Sequence, residues 1–159
     1  MISHVKAMPS ARIRALAICV FHRKGRILVN ESHDPIKRET FYRPLGGGIE
    51  FGETSSEAVT REIQEEIGAK VTKMRLIGTL ESIFTYLGAP GHEIVQVYDG
   101  EFVDQALYER HTVLGTESDG QPFQAVWKEL ESFSAKKPLY PNGLLALLQS
   151  KAALLAADA

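Results

Sequence analysis

The stretch GGIEFGETSSEAVTREIQEEIGA, residues 47–69, decides how the rest of the chain is interpreted. It joins a glycine-rich turn to a segment with helical character. Glu62, Glu65 and Glu66 stand at positions i, i+3 and i+4 of that segment. With about 100° between successive helical residues, the three carboxylates fall within roughly one third of the helix circumference. Like charges this close repel one another, and a divalent cation would reverse the sign of that interaction.

The residues around the glutamates predict where the helix begins and ends. Thr54 followed three residues later by Glu57 is a capping-box pattern that places Thr54 at the N-cap. Gly68 stands where a left-handed C-cap is expected. Apolar residues recur every four positions and form a stripe beside the glutamates, at Val59, Ile63 and Ile67. One face of the helix is therefore expected to pack on a core while another faces a cleft.

The spacing of the fixed residues in this stretch resembles the Nudix box, G-x5-E-x7-R-E-U-x-E-E-x-G-U, in which U is a bulky aliphatic residue. Gly47, Glu53 and the run at residues 61–68 match every fixed position, and only Ala69 is smaller than usual. A match of this length is far more specific than a short glycine motif. The flanks are also similar, with an upstream hairpin, Trp127 on a late strand and a closing helix after Pro141.

Composition favours one ordinary domain. The chain has 159 residues, of which 44% are hydrophobic and 24% charged. A net charge of −2 gives no electrostatic reason to expect long nucleic acid or an anionic membrane as a partner. No apolar run approaches the ~20 residues that span a bilayer, and no secretory signal is recognised, so a cytoplasmic protein is expected. The single cysteine, Cys19, is expected to be a small buried hydrophobe.

Hydrophobic periodicity and turn residues predict the elements. We expect a single domain over residues 1–159, with a loose lead-in at 1–10, loops at 32–39 and 103–122, a short helix around Ala106, and a bend near Gly78. The expected strands lie at 12–21, 26–31, 40–45, 73–86, 92–102 and 123–127, and the closing helix at 143–156. The economical arrangement is an α/β fold with a mixed β-sheet and helices on both faces. The resemblance implies a Nudix-like α/β/α sandwich.

The resemblance also implies a metal site. Glu62 and Glu66 are the expected direct ligands of Mg²⁺, or of Mn²⁺, with Glu65 as a shared or water-bridged ligand. The carbonyl of Gly46, just before the box, is the expected backbone ligand. The alternative without metal binding is a solvated acidic helix face, which is the usual explanation for a charge cluster outside such a motif.

The remaining box residues are assigned to positioning and proton transfer. By resemblance, Glu53 pairs with Arg61 and clamps the glycine-rich loop to the helix, a role that we favour over direct chemistry. Glu65 or Glu62 would deprotonate the attacking water, and the later Glu109 and Glu117 are further candidates for the base. The expected catalytic set is therefore Glu53, Arg61, Glu62 and Glu65.

Substrate contacts are less strongly specified. The expected set comprises Arg43, Gly47, Gly48 and Glu117. Arg43 fits a phosphate contact or an ordinary surface position, and Glu117 fits a base or an exposed loop acid. An aromatic stacking face is one interpretation of three residues that are more often core, Tyr42, Phe84 and Tyr86. His92 and Glu93 fit a structural pair or a substrate contact, and Trp127 is expected in the core.

The resemblance implies a Mg²⁺-dependent hydrolase that cleaves a diphosphate linkage. The expected substrate is a small nucleoside diphosphate linked to another moiety, in the nucleotide sugar, ADP-ribose or nucleoside triphosphate class. A non-catalytic nucleotide-sensing module on the same fold is the alternative from another class. An RNA 5′-end pyrophosphohydrolase lacks the support of a basic patch. Hydrophobic edge strands are compatible with a homodimer.

Overall fold

The computed structural model describes residues 11–151, and the expected lead-in at 1–10 lies outside that range. The strands are β1 Ile13–Val20, β2 His22–Arg23, β3 Arg26–Asp34, β4 Glu39–Arg43, β5 Leu45–Gly48, β6 Val71–Tyr86, β7 Ala89–Phe102, β8 Thr112–Thr116 and β9 Pro122–Glu129. The helices are α1 Ser55–Ile67 and α2 Leu144–Ser150, with 3-10 turns at Gln105–Glu109 and Leu130–Ser132. The mixed α/β class expected from the sequence is confirmed.

The first sheet is the mixed sheet, in the order β5-β1-β7-β6. Strand β1 runs parallel to β7, whereas β5 and β6 pair with their neighbours antiparallel. Successive residues of β1 point to opposite faces, so Cys19 packs in one hydrophobic cluster with Ile63 of α1. Ile18 packs in the other with Leu148 of α2. The two helices therefore cover the two faces of this sheet.

A second, antiparallel sheet is the main difference from the sequence expectation. Strand β3 pairs with β2, β4 and β9, and β8 pairs with the far edge of β9. The predicted loop at 32–39 is wrong because β3 continues to Asp34, which pairs with Glu39 of β4. The expected single strand at 40–45 is two strands, β4 and β5. Glycines of β5 are extended because they pair with β1.

Helix α1 has the ends that its sequence predicts. The Thr54 hydroxyl accepts the backbone N–H of Glu57 at 3.2 Å, and the Glu57 carboxylate accepts the backbone N–H of Thr54 at 2.8 Å. Gly68 ends the helix in the left-handed conformation, with φ of 67°. Val59 and Ile63 are fully buried. The helix is thus fixed at both ends and along one face, which sets the direction of the opposite face.

The long hairpin β6–β7 also follows its prediction, including the register shift between Leu76 and Gly78. Its turn is tighter than expected, so β7 begins at Ala89 rather than at residue 92. The short helix around Ala106 is present as a 3-10 turn. The predicted loop at 103–122 is wrong in part, because it contains β8, which pairs with β9.

Helix α2 begins at Leu144, and the predicted continuation to residue 156 falls outside the described residues beyond 151. Trp127 is partly buried against the core cluster next to α1, as expected. Cys19 is fully buried on the central strand β1, and burial raises the pKa of its thiol well above the usual value. Over residues 11–151 no helix is long and apolar enough to cross a bilayer.

Candidate active site

A cleft of about 390 Å³ is lined by residues of both sheets. Its lining draws on β1, β5, β6 and β7 of the mixed sheet and on β3 and β4 of the second sheet. Glu62 and Glu66 of α1 and Glu117, beyond β8, line it together with the glycines of β5. The box glutamates expected as direct ligands therefore meet a cavity rather than open solvent.

The glycines of β5 allow the helix to approach the strand closely. Gly46 has φ of 147°, and a Cβ there would clash with the carbonyl oxygen of Ala17 on β1. A Cβ on Gly47 would clash with the carboxyl group of Glu62 on α1. The carboxylate of Glu62 occupies the space that any side chain at position 47 would need. The box glycine is thus a steric requirement for placing that carboxylate in the cleft.

Arg61 joins the loop to the helix as the sequence predicts. Its Nε and Nη2 donate to the two oxygens of the Glu53 carboxylate at 2.7 and 2.9 Å. Nη2 also donates to the carbonyl of Gly48 at 2.9 Å. These hydrogen bonds lower the pKa of Glu53 to about 2 and raise the pKa of Arg61. The bidentate geometry fixes both groups in direction as well as in distance.

Arg61 also contacts two of the clustered glutamates. Nη1 donates to Glu62 at 2.9 Å and to Glu65 at 3.2 Å. The Glu65 side chain is 56% exposed and lies outside the cleft lining. In the described part of the chain, no three Asp, Glu, His or Cys side chains are grouped as a metal site. Part of the repulsion expected among the glutamates is therefore offset by this guanidinium.

Within residues 11–151, Glu66 forms no ion pair with a cationic side chain. Burial, followed by the negative charges of Glu117 and Glu62, raises the pKa of Glu66 to about 8. A hydrogen bond from the backbone of Gly46 acts in the opposite direction. Glu117 accepts a hydrogen bond from Asn30 Nδ2 at 2.9 Å, and burial raises its pKa as well. These acids are crowded and partly desolvated, which makes the ionised state costly.

The donor chemistry fits a hard divalent cation. Mg²⁺ is commonly bound by one or two carboxylates, with water and substrate phosphates completing the shell. Glu62 and Glu66 supply two carboxylates from one helix face, and the glycine strand beside them leaves room for a diphosphate. Burial first, and then the neighbouring carboxylates, raise the pKa of Glu66, so a bound cation would stabilise its ionised form. The residues therefore suit a site completed by the substrate rather than a closed protein cage.

Other expected residues divide into those in the cleft and those outside it. Arg43, Gly48, Phe84, Tyr86 and Glu93 line the cleft. Three expected candidates are absent from the lining. Tyr42 is buried beside Phe133, which excludes it from stacking on a ligand, while Glu109 and His92 also lie outside the lining.

Sequence reasoning did not single out several polar residues of the cleft, among them Arg14, Asn30 and Ser82. Arg14 lies opposite Glu93 in the parallel pairing of β1 with β7, and Ser82 lies opposite Glu93 in the hairpin. Strand alternation places residue 14 on the same face as Leu16. The register that brings it next to Glu93 depends on pairing between distant strands. No local signal could have identified that pair.

A family model described as the NUDIX domain matches residues 11–144. The chain belongs to the Nudix family. Membership confirms the resemblance seen in the box. It supports pyrophosphohydrolase activity in general terms, and Nudix hydrolases generally use divalent metal ions and act on small nucleotide substrates.

Solved structures show the same fold as this Nudix chain. A MutT Nudix hydrolase from Burkholderia pseudomallei is similar with a TM-score of 0.60 and 22% identity, covering 87% of this chain and 98% of that one. A Nudix hydrolase from Nitrosomonas europaea is similar with a TM-score of 0.61 and 17% identity, covering 89% of this chain and 90% of that one.

A curated relative matches over a shorter segment. The NAD-capped RNA hydrolase NudC from Vibrio vulnificus (strain CMCP6) is 37% identical over 62 residues. The segment covers 39% of this chain and 23% of that relative. The Nudix chain thus matches about a quarter of the relative's length.

Proposed function

We propose that this Nudix hydrolase cleaves the diphosphate linkage of a nucleoside diphosphate linked to another moiety, with Mg²⁺ as its metal. The observation that carries the proposal is the partly buried carboxylate of Glu66, which lies beside Glu62 in a cleft lined by glycines and whose pKa burial and neighbouring acids raise. A diphosphate brings the oxygen ligands that complete a two-carboxylate magnesium site. The cleft volume of about 390 Å³ suits a small molecule.

We assign Glu62 and Glu66 as the metal-binding carboxylates, with Glu65 at the rim and the Gly46 carbonyl as further ligands. The bound cation would supply positive charge to the phosphate oxygens and acidify water. Glu53 and Arg61 hold the loop, and the glycine backbone at 47 and 48 allows close approach of a phosphate. Glu62, Glu65 or Glu117 accepts the proton of the attacking water. Glu117 lines the cleft and has a raised pKa, which suits a base.

The test is hydrolysis of a panel with Mg²⁺ or Mn²⁺, followed by mass analysis of the products. The panel comprises ADP-ribose, nucleotide sugars, dinucleoside polyphosphates and nucleoside triphosphates. NAD and NAD-capped RNA join it because the relative from Vibrio vulnificus is described as acting on NAD-capped RNA. We expect a nucleoside monophosphate and a phosphorylated remainder, or pyrophosphate from a triphosphate. Absence of turnover across the panel, together with tight metal-dependent binding, would instead support the nucleotide-sensing alternative.

Location and assembly belong to the same proposal. We place the protein in the cytoplasm, where nucleotide substrates and a free thiol such as Cys19 are both expected. A homodimer is favoured by three apolar side chains of the mixed sheet that are left exposed, at Ile13, Ile83 and Ile94. Light scattering after size-exclusion chromatography should give twice the monomer mass. A monomer mass at all concentrations would remove the dimer without affecting the catalytic proposal.

A further inference from the structure

Glu93 is a carboxylate held inside the cleft by two arginines. The residue is 3% exposed, and it lies on β7 facing the cleft. Arg43 Nη2 donates to Glu93 Oε2 at 3.2 Å, and Arg14 Nη1 lies 3.8 Å from Glu93 Oε1. Ser82 lies opposite Glu93 on the neighbouring strand and is also buried. A buried carboxylate requires one compensating positive charge, and two arginines lie beside this one.

The charges of this group do not cancel. Glu93 carries one negative charge, and Arg14 and Arg43 carry one positive charge each. Their side chains remain 53% and 31% exposed, so both guanidiniums keep N–H donors that are open to the cleft. An ion pair serving stability alone would need a single cation. The second guanidinium leaves this group of three side chains, though not the cleft as a whole, with a positive charge that can bind an anion.

Strand register places these arginines between the two ends of the cleft. Along β1, Ile18 pairs with Gly46 beside the box glutamates, and Arg14 lies two alternate positions farther along the strand, with its Nη2 3.9 Å from where a Cβ on Gly48 would lie. Along the chain, Arg43 lies between Phe41 and the glycines. The far end is aromatic, where the ring of Phe41 is 5.8 Å from that of Tyr86. Leading away from α1, the cleft thus changes from the box carboxylates to the two arginines and then to aromatic rings, which share that end with Asp34, Lys37 and Glu39.

We propose that Arg14 and Arg43, oriented by Glu93, bind the substrate phosphate that is attached to the nucleoside. The inference rests on the proposed function for the nature of the substrate. Arg14 and Arg43 contact the phosphate directly, and Glu93 is a positioning residue. The end of the cleft that carries the box carboxylates would hold the metal and the other phosphate of the diphosphate. The base of the nucleoside lies against Phe84 and Tyr86. Because the groups follow this order along the cleft, the substrate can bind in only one orientation.

The first test measures binding of the phosphate group without hydrolysis. Calorimetry in EDTA compares AMP, GMP, CMP and UMP with their parent nucleosides. Wild-type protein should bind at least one monophosphate ~10-fold or more tightly than its nucleoside. Arg14→Gln and Arg43→Gln should abolish that preference. Arg75→Gln is the matched control, because Arg75 pairs with the buried Asp99 at 2.8 Å outside the cleft lining, and it should leave the preference unchanged.

The second test uses the best substrate of the panel. Arg14→Gln and Arg43→Gln should raise KM by ~10-fold or more. Arg14→Lys and Arg43→Lys should recover part of the loss. Glu93→Gln should raise KM more than it lowers kcat, with an unfolding temperature close to that of wild type. The Arg75→Gln control should keep the KM of wild type.

The outcomes separate this inference from the proposed function. A monophosphate preference that survives in both arginine variants would overturn the inference, even if the enzyme turns over its substrate. A wild-type protein that binds no monophosphate more tightly than its nucleoside would overturn it as well. Absence of turnover in wild type, with an arginine-dependent preference intact, would overturn the hydrolase proposal and leave the anion site standing.

Discussion

The carboxylate of Glu66 is costly to ionise inside the cleft. It is partly buried near Glu117 and Glu62, and Arg61 donates to Glu62 and Glu65 instead. We expect Glu66→Gln to lower kcat by ~10² or more, because it removes a metal-binding oxygen and the charge that attracts the cation. Folding should remain intact, since the change also relieves repulsion. Steady-state kinetics at saturating Mg²⁺ and far-ultraviolet circular dichroism measure the two effects.

The matched control is Glu81→Gln, at an exposed glutamate of β6 outside the cleft lining. It makes the same chemical change without touching the site, so its kcat should equal that of wild type. A Glu66→Gln variant with nearly normal turnover would reject the metal assignment. Loss of activity in both variants would indicate a general charge effect instead.

The raised pKa of Glu66 also predicts a pH-dependent stability in metal-free protein. The pKa is about 8 when folded, against 4.5 for the ordinary group. Below pH 4.5 the group is protonated in both states, and between 4.5 and about 8 only the folded state keeps the proton. Stability therefore falls as pH rises through that window, by at most ~5 kcal/mol.

Glu66→Gln removes this dependence. In EDTA, its unfolding temperature should exceed that of wild type by more at pH 8.5 than at pH 5, and excess Mg²⁺ should narrow the gap at pH 8.5. A gap that stays constant across pH would show that the Glu66 carboxylate is not desolvated as described. The measurement is differential scanning fluorimetry at matched ionic strength.

At the scale of elements, helix α1 depends on its N-terminal cap. Thr54→Ala removes the hydroxyl that accepts the Glu57 N–H at 3.2 Å. We expect a loss of ~1 kcal/mol in the free energy of unfolding, measured by urea denaturation. Thr60→Ala, within the same helix and exposed, is the control and should cost nothing or stabilise slightly, because alanine has the higher helix propensity. Equal effects at both positions would contradict the role of the cap.

The connection between loop and helix is the second element-scale prediction. Arg61→Lys cannot reproduce the bidentate pair with Glu53 together with the bond to the Gly48 carbonyl. The glycine-rich loop should loosen, and the Mg²⁺ concentration for half-maximal activity should rise severalfold. Arg110→Lys, at an exposed position, should leave it unchanged. An unaltered magnesium requirement in Arg61→Lys would show that the clamp does not shape the site.

The same pair predicts acid sensitivity. Glu53 has a pKa of about 2 when folded, against the ordinary 4.5, so its contribution to stability is present above pH 4.5 and is lost as pH falls toward 2. Glu53→Gln should therefore destabilise the protein at pH 7. The difference from wild type should shrink below pH 4.5. Urea titrations at pH 7 and pH 4 measure it, and a difference that grows at pH 4 would contradict the pairing.

Elements with strong local sequence patterns were predictable. Strands that depend on pairing with a distant strand were not. Helix α1 has caps, an apolar stripe and adequate length within one stretch, so its sequence alone determined its limits. Strand β5 consists largely of glycine and has no hydrophobic alternation, so its extended state depends on pairing with β1. Strand β8 is short and mostly exposed, and its pairing with β9 supplies what its own sequence lacks.

At the scale of the whole molecule, the candidate site was predictable only on the box side. The spacing of the box predicted the Arg61–Glu53 pair and the position of Glu62 against Gly47, because those contacts span one loop and one helix. The basic middle of the cleft joins Arg14, Arg43 and Glu93 from three strands of two sheets. Such a group exists only once both sheets have formed, so no local sequence pattern predicts it.

The burial of Cys19 gives the protein an intrinsic reporter of its own opening. The chain contains one cysteine, and that thiol lies fully buried on the central strand of the mixed sheet. A chromogenic disulfide reagent can reach it only when β1 separates from its neighbours. Labelling should be slow in buffer, accelerate with urea in step with global unfolding, and slow again when a nucleotide and Mg²⁺ are added. Rapid labelling of native protein would mean that the central strand opens far below the cost of unfolding.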